Sequence, residues 1–122
     1  MSLILHITKR EQWERAESAG VYRGDTLDSE GFIHCSTPQQ VIILANALFH
    51  AQKGLVLLCI ASERVKAEIR YEGLEEGERF PHIYGPLNTD AVIEILEFEP
   101  GEDGKFELPG EIAVSYFWTG AV

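Results

Sequence analysis

The sequence predicts one domain of the α+β class. Helical patterns occur early in the 122 residues and strand patterns dominate later, without the strict alternation of a doubly wound fold. The length is close to that of a typical domain. Hydrophobic residues make up 45% of the chain and charged residues 25%, as in ordinary globular proteins. We therefore expect a single folded unit over residues 1–122.

The N-terminal segment predicts a strand followed by a helix and a second strand. LILHIT (3–8) has the length and composition of a strand. TKRE (8–11) has the spacing of a capping box, which would start a helix after Thr8, and Gly20 would end that helix. GFIHCS (31–36) is the next predicted strand. Since side chains alternate along a strand, Phe32 and His34 should share one face.

A second helix is predicted after TPQQ (37–40), which has the pattern of another capping box with a proline at the first helical position. Apolar residues at helical spacing continue the pattern, and Lys53-Gly54 should close the helix. These apolar positions are Val41, Leu44, Ala45, Leu48 and Phe49.

The second half of the chain reads mainly as strands. LVLLCIA (55–61) is apolar throughout, which predicts a central strand covered on both faces. AEIRYE (67–72) and AVIEILEF (91–98) alternate as half-buried strands do. An acidic loop at 71–79 precedes FPHIYGPLN (80–88), and EIAVSYFW (111–118) is either a last strand or a packed tail.

The charge balance restricts the class of partner. Ten basic and twenty acidic side chains give a net charge of −10. Such a surface repels polyanions, so we expect neither nucleic acid nor a membrane as partner. No apolar run approaches the roughly 20 residues of a membrane helix, and no signal-peptide pattern is visible, which predicts a cytoplasmic protein. Cys35 and Cys59 lie in apolar runs and should be reduced, buried thiols.

Three of the four histidines lie on short strands or on a proline-restricted segment: His6, His34 and His82. An unpaired buried polar group costs about 1–3 kcal/mol. Three such imidazoles in a small domain therefore favour a shared polar cleft over the alternative of three unrelated local roles. His50 ends the second predicted helix, where a cation suits the helix C-terminus, and we expect it at the surface.

Three chemistries could use such a cleft. The imidazoles could ligate a divalent metal, but no two histidines have a local ligand spacing, so no tight metal site is expected. A histidine could act as general base for Cys35, Ser36 or Thr37. Histidine and arginine could also hold ribose hydroxyls and phosphates, as a nucleotide site requires. The guanidinium groups that could take part are those of Arg23, Arg70 and Arg79.

The segments LILHIT, EGFIHCSTPQQ and FPHIYGPL, in this order, resemble a small bacterial family known as domain of unknown function family 952, over about residues 3–98. The family is grouped with the ADP-ribosyltransferase-like folds. The resemblance therefore implies a split, bent β core with two flanking helices and a cleft suited to NAD. Poly(ADP-ribose) polymerases look similar at LHIT (5–8) and GFIHCSTPQQ (31–40). This likeness implies that His6 holds a ribose hydroxyl and that His34 lies near the place of a stacking tyrosine.

The chain departs from that pattern at two positions. Ile7 replaces the glycine whose backbone receives a carboxamide, and His82 lies nearest to the place of a glutamate that stabilises a ribosyl cation. An imidazole supplies no negative charge for such a cation. Glu72 or Glu94 could supply it, although the sequence places neither. The RNA 2′-phosphotransferases of the same broad fold rely on histidines and arginines, but tRNA does not suit so acidic a chain.

We therefore predict a histidine-lined cleft that binds NAD, ADP-ribose or a related nucleotide, with ADP-ribosyl or phosphoribosyl transfer as its chemistry if the protein is an enzyme. Two alternatives stay open: a non-catalytic module that binds a ligand or partner, and a metal-dependent hydrolase that uses the three histidines. The predicted catalytic residues are His34 and His82, and the predicted ligand-binding residues are His6, Thr8, Ser36, Tyr84 and Arg79.

Overall fold

The structure is a computed structural model and describes residues 2–73 and 77–112. Within these residues, eight strands form antiparallel sheets of three, two and three strands, with four helices beside them. The α+β class predicted from the sequence is confirmed. The strands are β1 (Leu3–Lys9), β2 (Val21–Tyr22), β3 (Ile33–His34), β4 (Leu55–Ala61), β5 (Glu68–Gly73), β6 (Arg79–Tyr84), β7 (Leu87–Asn88) and β8 (Val92–Phe98). The helices are α1 (Arg10–Ala19), α2 (Leu27–Glu30), α3 (Val41–Leu48) and α4 (Gly110–Ile112).

The first sheet has the order β1-β4-β8, and all seven residues of β4 are buried. The prediction of a central strand covered on both faces is confirmed. One face of β4 packs into a core cluster with Trp13 and Tyr22, and the other packs into a cluster with Val41 and Phe98. Because alternate residues of β4 enter different clusters, this strand belongs to both halves of the core.

The strands that carry the three histidines are neighbours. β3 pairs with β6 so that His34 lies opposite His82. Just beyond β3, Ser36 forms an antiparallel bridge with Leu5 of β1, with backbone hydrogen bonds of 2.7 and 2.8 Å. The short segment from His34 to Ser36 therefore connects β6 on one side with β1 and its His6 on the other.

The predicted capping box at Thr8 is wrong. β1 continues through Lys9, which precedes α1 without a side-chain capping bond. The Thr8 hydroxyl instead lies within hydrogen-bond distance of Gln12 and Tyr22. The predicted end of α1 is correct, since Gly20 has φ 82° and its N–H donates to the carbonyl oxygen of Ala16 over 2.8 Å.

The second predicted helix is shorter than expected. Half of its capping box is present, because the Gln40 side chain accepts a hydrogen bond from the Thr37 N–H over 3.0 Å. However, α3 ends at Leu48, before the predicted Lys53-Gly54. Ala51 has φ 65°, a left-handed conformation that a right-handed helix cannot include. Leu48 was expected to face the core but is 67% exposed.

Three further segments differ from expectation. The strand predicted at 31–36 is reduced to Ile33–His34 and the bridge at Ser36. The helix α2 was not predicted. Of the segment 111–118, Glu111 and Ile112 belong to α4, and residues 113–118 lie outside the described part of the chain.

Among the described helices, none has both the length and the apolar character to span a bilayer.

Candidate functional site

A cleft of about 640 Å³ lies between β1, β3, the β5–β6 pair and α3. Small-molecule sites typically measure about 300–1,000 Å³. His6, His34 and His82 all line this cleft. Two more of the predicted ligand-binding residues, Thr8 and Ser36, also line it, whereas Arg79 and Tyr84 do not. Five of the seven predicted site residues thus share one cavity.

His82 forms a pair with Glu72 inside the cleft. The two residues lie on adjacent strands, and Nδ1 of His82 is 3.0 Å from a carboxylate oxygen of Glu72. The Tyr84 hydroxyl donates to the same oxygen. These two hydrogen bonds lower the pKa of Glu72. The bond from Tyr84 has the larger effect, and the bond from His82 has the next largest. The carboxylate is therefore anionic at neutral pH, and Nδ1 of His82 carries the hydrogen that it donates.

His34 forms a second imidazole–carboxylate pair. Its Nε2 is 3.1 Å from a carboxylate oxygen of Glu30 at the end of α2. The ring centres of His34 and His82 are 5.2 Å apart, and Phe32 contacts both rings, stacking on His82 at 4.2 Å. As strand alternation predicted, Phe32 and His34 lie on one face. Of these residues, His34, His82 and Glu72 line the cleft, and Phe32 and Glu30 contact the two imidazoles from outside the lining.

His6 differs from the other two because both of its ring nitrogens already have partners. Nδ1 lies 2.5 Å from the backbone carbonyl oxygen of His34, and Nε2 lies 2.7 Å from the Tyr22 hydroxyl. Burial lowers the pKa of His6 to about 4, although the contact with the His34 carbonyl raises it. The ring is neutral at neutral pH. A ribose hydroxyl could reach a nitrogen of His6 only if it displaced one of these partners.

A chain of polar side chains continues from His6 along the wall. Tyr22 lies 2.8 Å from the Thr8 hydroxyl, and Thr8 lies 2.9 Å from the side-chain oxygen of Gln12. The Gln12 amide nitrogen donates to Asp25 over 2.8 Å. All of these residues line the cleft. Sequence reasoning missed Gln12, Tyr22 and Asp25, since nothing in their local patterns indicates that they meet.

Part of the lining is apolar. Leu44, Leu48 and Phe49 line the cleft from α3 and its C-terminal end, and Phe80 lines it from β6. The exposure of Leu48 is thus exposure at the cleft rather than on an unrelated surface. Among the described residues that line the cleft, Lys9 is the one lysine or arginine, whereas three are acidic: Asp25, Glu72 and Glu78.

The positions of the predicted residues outside the cleft are also informative. Tyr84 acts on the cleft indirectly, through its hydrogen bond to Glu72, and its ring lies 4.4 Å from the Arg70 guanidinium carbon. Arg79 is exposed, and its backbone carbonyl accepts a hydrogen bond from Gln40 over 2.7 Å. Neither Glu94, which pairs with Cys59 across the β4–β8 ladder, nor Arg79 lines the cleft.

Cys35 is an unsuitable nucleophile even though it lines the cleft. Both cysteines are free and buried, as predicted. Burial raises the pKa of Cys35 far above its usual range and that of Cys59 to about 12. A thiol that stays protonated is a poor nucleophile. The described residues also contain no group of three or more His, Cys, Asp or Glu side chains placed to hold a metal ion.

A family model described as a protein of unknown function (DUF952) matches residues 7–95. The chain belongs to this family. The crystal structure of protein CC0527 from Caulobacter crescentus is similar to it, with 33% sequence identity and a TM-score of 0.83, covering 92% of this chain and 99% of that chain. The solution NMR structure of CC0527 covers 93% of this chain and 99% of that chain, with a TM-score of 0.79. No curated protein matches this chain. The DUF952 region includes His34, Glu72 and His82.

Proposed function

We propose that the cleft binds a nucleotide-like small molecule, such as NAD or ADP-ribose, and that His82 with Glu72 carries out acid–base chemistry at its ribosyl group. The observation that carries this proposal is the 3.0 Å pairing of His82 with an anionic carboxylate inside a cleft of ligand size. The reaction would transfer the ribosyl group to an acceptor or to water.

The pairing makes His82 suitable as a general base. Its Nδ1–H donates to Glu72, so the neutral ring carries its lone pair on Nε2. Among the described residues, Nε2 has no hydrogen-bond partner. A carboxylate on one nitrogen orients the ring and stabilises the imidazolium that forms when the other nitrogen accepts a proton. His82 could therefore take a proton from an acceptor hydroxyl or water.

Glu72 supports a ribosyl substrate in particular. Cleavage of a bond to the anomeric carbon of ribose passes through an oxocarbenium-like state, which a nearby negative charge stabilises. The sequence analysis put His82 nearest to the position of the glutamate and left Glu72 and Glu94 as two carboxylates that could supply the negative charge. The carboxylate of Glu72, hydrogen-bonded to His82, supplies that charge.

The lining favours contacts with the ribosyl end of the ligand over contacts with its phosphates. Apolar side chains from α3 offer a surface for a base or another flat group, and Phe32 already stacks on His82. Lys9 is the single cationic side chain among the described lining residues, so few contacts are available to a diphosphate. The resemblance to ADP-ribosyltransferase-like folds supports the same class of ligand.

The test measures binding and turnover separately. We expect NAD or ADP-ribose to raise the unfolding free energy, by about 2.7 kcal/mol at a concentration one hundred times the dissociation constant. H82Q and E72Q keep the size of each side chain and should retain most of this shift. Both should lower turnover of NAD by about 10²–10³, because one well-placed electrostatic contact has this effect. H50Q, outside the cleft, should change neither quantity.

Two outcomes would contradict the proposal. If none of NAD, ADP-ribose and their mononucleotides stabilises the protein, the cleft is not a nucleotide site, and a module that binds a protein partner is favoured. If a nucleotide stabilises the wild type and H82Q equally but no turnover occurs, the protein binds the nucleotide without catalysis.

A further inference from the structure

A second depression, of about 310 Å³, opens on the surface beside the cleft. It lies between α1 and the turn that follows β2, and its volume is at the lower end of those of small-molecule sites. Two of its lining residues, Gln12 and Tyr22, also line the cleft. The two sites are therefore adjacent, and a ligand longer than the cleft can extend from one into the other.

The charges that line the two sites have opposite signs. Among the described residues that line the depression, Arg15 and Arg23 are charged and none is acidic. The described lining of the cleft has the reverse composition, with Lys9 against three carboxylates. The whole chain carries a net charge of −10, but salt screens distant charges over about 8–10 Å. The depression is therefore a local cationic site on an acidic protein.

The contacts of the two arginines leave both side chains available to an anion. Arg23 donates to Asp28 over 2.6 Å, but these side chains are 53% and 77% exposed, and an ion pair so exposed contributes little free energy. The Nε–H of Arg15 donates to the backbone carbonyl of Glu11 over 3.4 Å, which is long for a hydrogen bond. Each guanidinium has five N–H donors, and these contacts use a minority of them.

Gly24 holds Arg23 at the border between the depression and the cleft. Its φ is 70°, in the left-handed region, and a Cβ added there would lie 3.2 Å from a ring carbon of Tyr22 and 3.3 Å from its hydroxyl oxygen. The turn after Arg23 therefore lies directly against the Tyr22 ring. On the cleft side, the same hydroxyl lies 2.7 Å from Nε2 of His6.

We infer that the depression is the phosphate subsite of the ligand, in which Arg15 and Arg23 bind a diphosphate while the ribosyl group lies in the cleft beside His82. This inference rests on the proposed function. The planar fork of arginine matches the oxygens of a phosphate and pairs with them in a bidentate manner. The carboxylates of the cleft repel a diphosphate, whereas the depression attracts it. The ligand class is therefore a ribosyl compound with a diphosphate, rather than a nucleoside.

Inorganic pyrophosphate tests the two arginines without depending on the cleft. NMR titration of the full chain gives dissociation constants and shows whether the resonances of Arg23 and Gly24 shift. R15Q and R23Q should each weaken pyrophosphate binding about tenfold, because each removes charge-assisted hydrogen bonds to phosphate. R15K and R23K keep the charge without the fork, so their affinities should be intermediate. A circular dichroism spectrum of each variant verifies folding.

R64Q is the matched control, since Arg64 is exposed and lines neither site. It removes the same charge as R15Q and R23Q, but at a distance over which salt screens the effect, so the affinity for pyrophosphate should change by less than about twofold.

A second measurement compares ADP-ribose with nicotinamide riboside, which has a base and a ribosyl group without phosphates. R15Q and R23Q should each weaken the binding of ADP-ribose about tenfold, as for pyrophosphate. Neither change should weaken the binding of nicotinamide riboside, because that ligand has no group for the depression.

Three results would overturn the inference: pyrophosphate shifts no resonance of the depression, R64Q weakens its binding as much as R15Q and R23Q do, or ADP-ribose binds the wild type, R15Q and R23Q with one affinity. The two proposals fail separately. Pyrophosphate binding that depends on both arginines, without stabilisation by any nucleotide, supports the anion site and contradicts the nucleotide function. ADP-ribose binding that depends on neither arginine contradicts only the subsite.

Discussion

His6 illustrates at the residue scale how the surroundings of a side chain change the role expected of it. The resemblance to poly(ADP-ribose) polymerases implied that this ring holds a ribose hydroxyl. In the structure its two nitrogens contact the His34 carbonyl and the Tyr22 hydroxyl. His6 therefore joins the histidine-bearing segment to the polar chain. His6 lines the cleft, and a ligand hydroxyl would have to displace one of these partners to reach a ring nitrogen.

The lowered pKa of His6 predicts a specific dependence of stability on pH. The folded value of about 4 lies below the ordinary value of 6.5, so the unfolded chain takes up a proton at a higher pH than the folded protein. Between pH 6.5 and 4 the unfolded state binds more protons, and stability falls as pH falls. The loss should reach at most about 3 kcal/mol, measured by urea unfolding across this range.

Two variants test whether His6 is the cause. H6Q removes the titrating group and should flatten the decline between pH 6.5 and 4, whatever its effect on stability at neutral pH. H50Q should show the decline of the wild type. An equally steep decline in H6Q would show that other groups are responsible.

At the scale of elements, the β5–β6 pair holds the proposed catalytic dyad. Its register places Gly73 opposite Arg79, next to Glu72. A Cβ added at Gly73 would overlap the backbone carbonyl oxygen of Glu78, and a backbone atom cannot move aside as a flexible side chain can. This end of the strand pair therefore requires a residue without a side chain.

We expect G73A to destabilise the protein by about 1–3 kcal/mol, as overpacking in ordered structure does, and to disturb the Glu72–His82 contact. Urea unfolding gives the first quantity, and the chemical shift of the His82 ring nitrogens gives the second. G110A is the matched control, because a Cβ there would meet nothing within 4 Å. Equal stability of the two variants would contradict the steric argument.

At the scale of the whole molecule, β4 links the two core clusters. Cys35 belongs to the cluster on one face of the first sheet and Cys59 to the cluster on the other. They are 2% and 3% exposed. Because alternate β4 side chains enter both clusters, neither cluster should open without the other, and the two thiols report on the two halves of the core.

We expect both native thiols to react with a thiol reagent at similar rates, at least about 100-fold more slowly than in concentrated denaturant, because reaction requires opening of the core. Mass spectrometry of partly labelled protein gives the rate at each cysteine. Much faster labelling of one cysteine would mean that the two clusters unfold separately and would contradict the prediction of a single folded unit.

The fold could be predicted to the extent that local patterns control it. The apolar run of β4 indicated burial on both faces, Gly20 ended α1, and the bond between Gln40 and Thr37 followed from local spacing. Thr8 shows where this reasoning fails. Its capping pattern is real in sequence, but the Thr8 hydroxyl contacts the side chains of Tyr22 and Gln12 and not a backbone N–H of the first turn, as a capping box requires.

By itself the sequence determined which residues alternate on a strand and which apolar runs must be buried. These patterns predicted that the three histidines on strand-like segments share one cleft. Only the tertiary structure decided that His34 lies opposite His82, that Ser36 bridges Leu5, and that Glu72 reaches His82. The physical reason is that the two-residue period of a strand assigns a face to each side chain but contains no information on the partner strand or its register. Those depend on contacts between residues far apart in the chain.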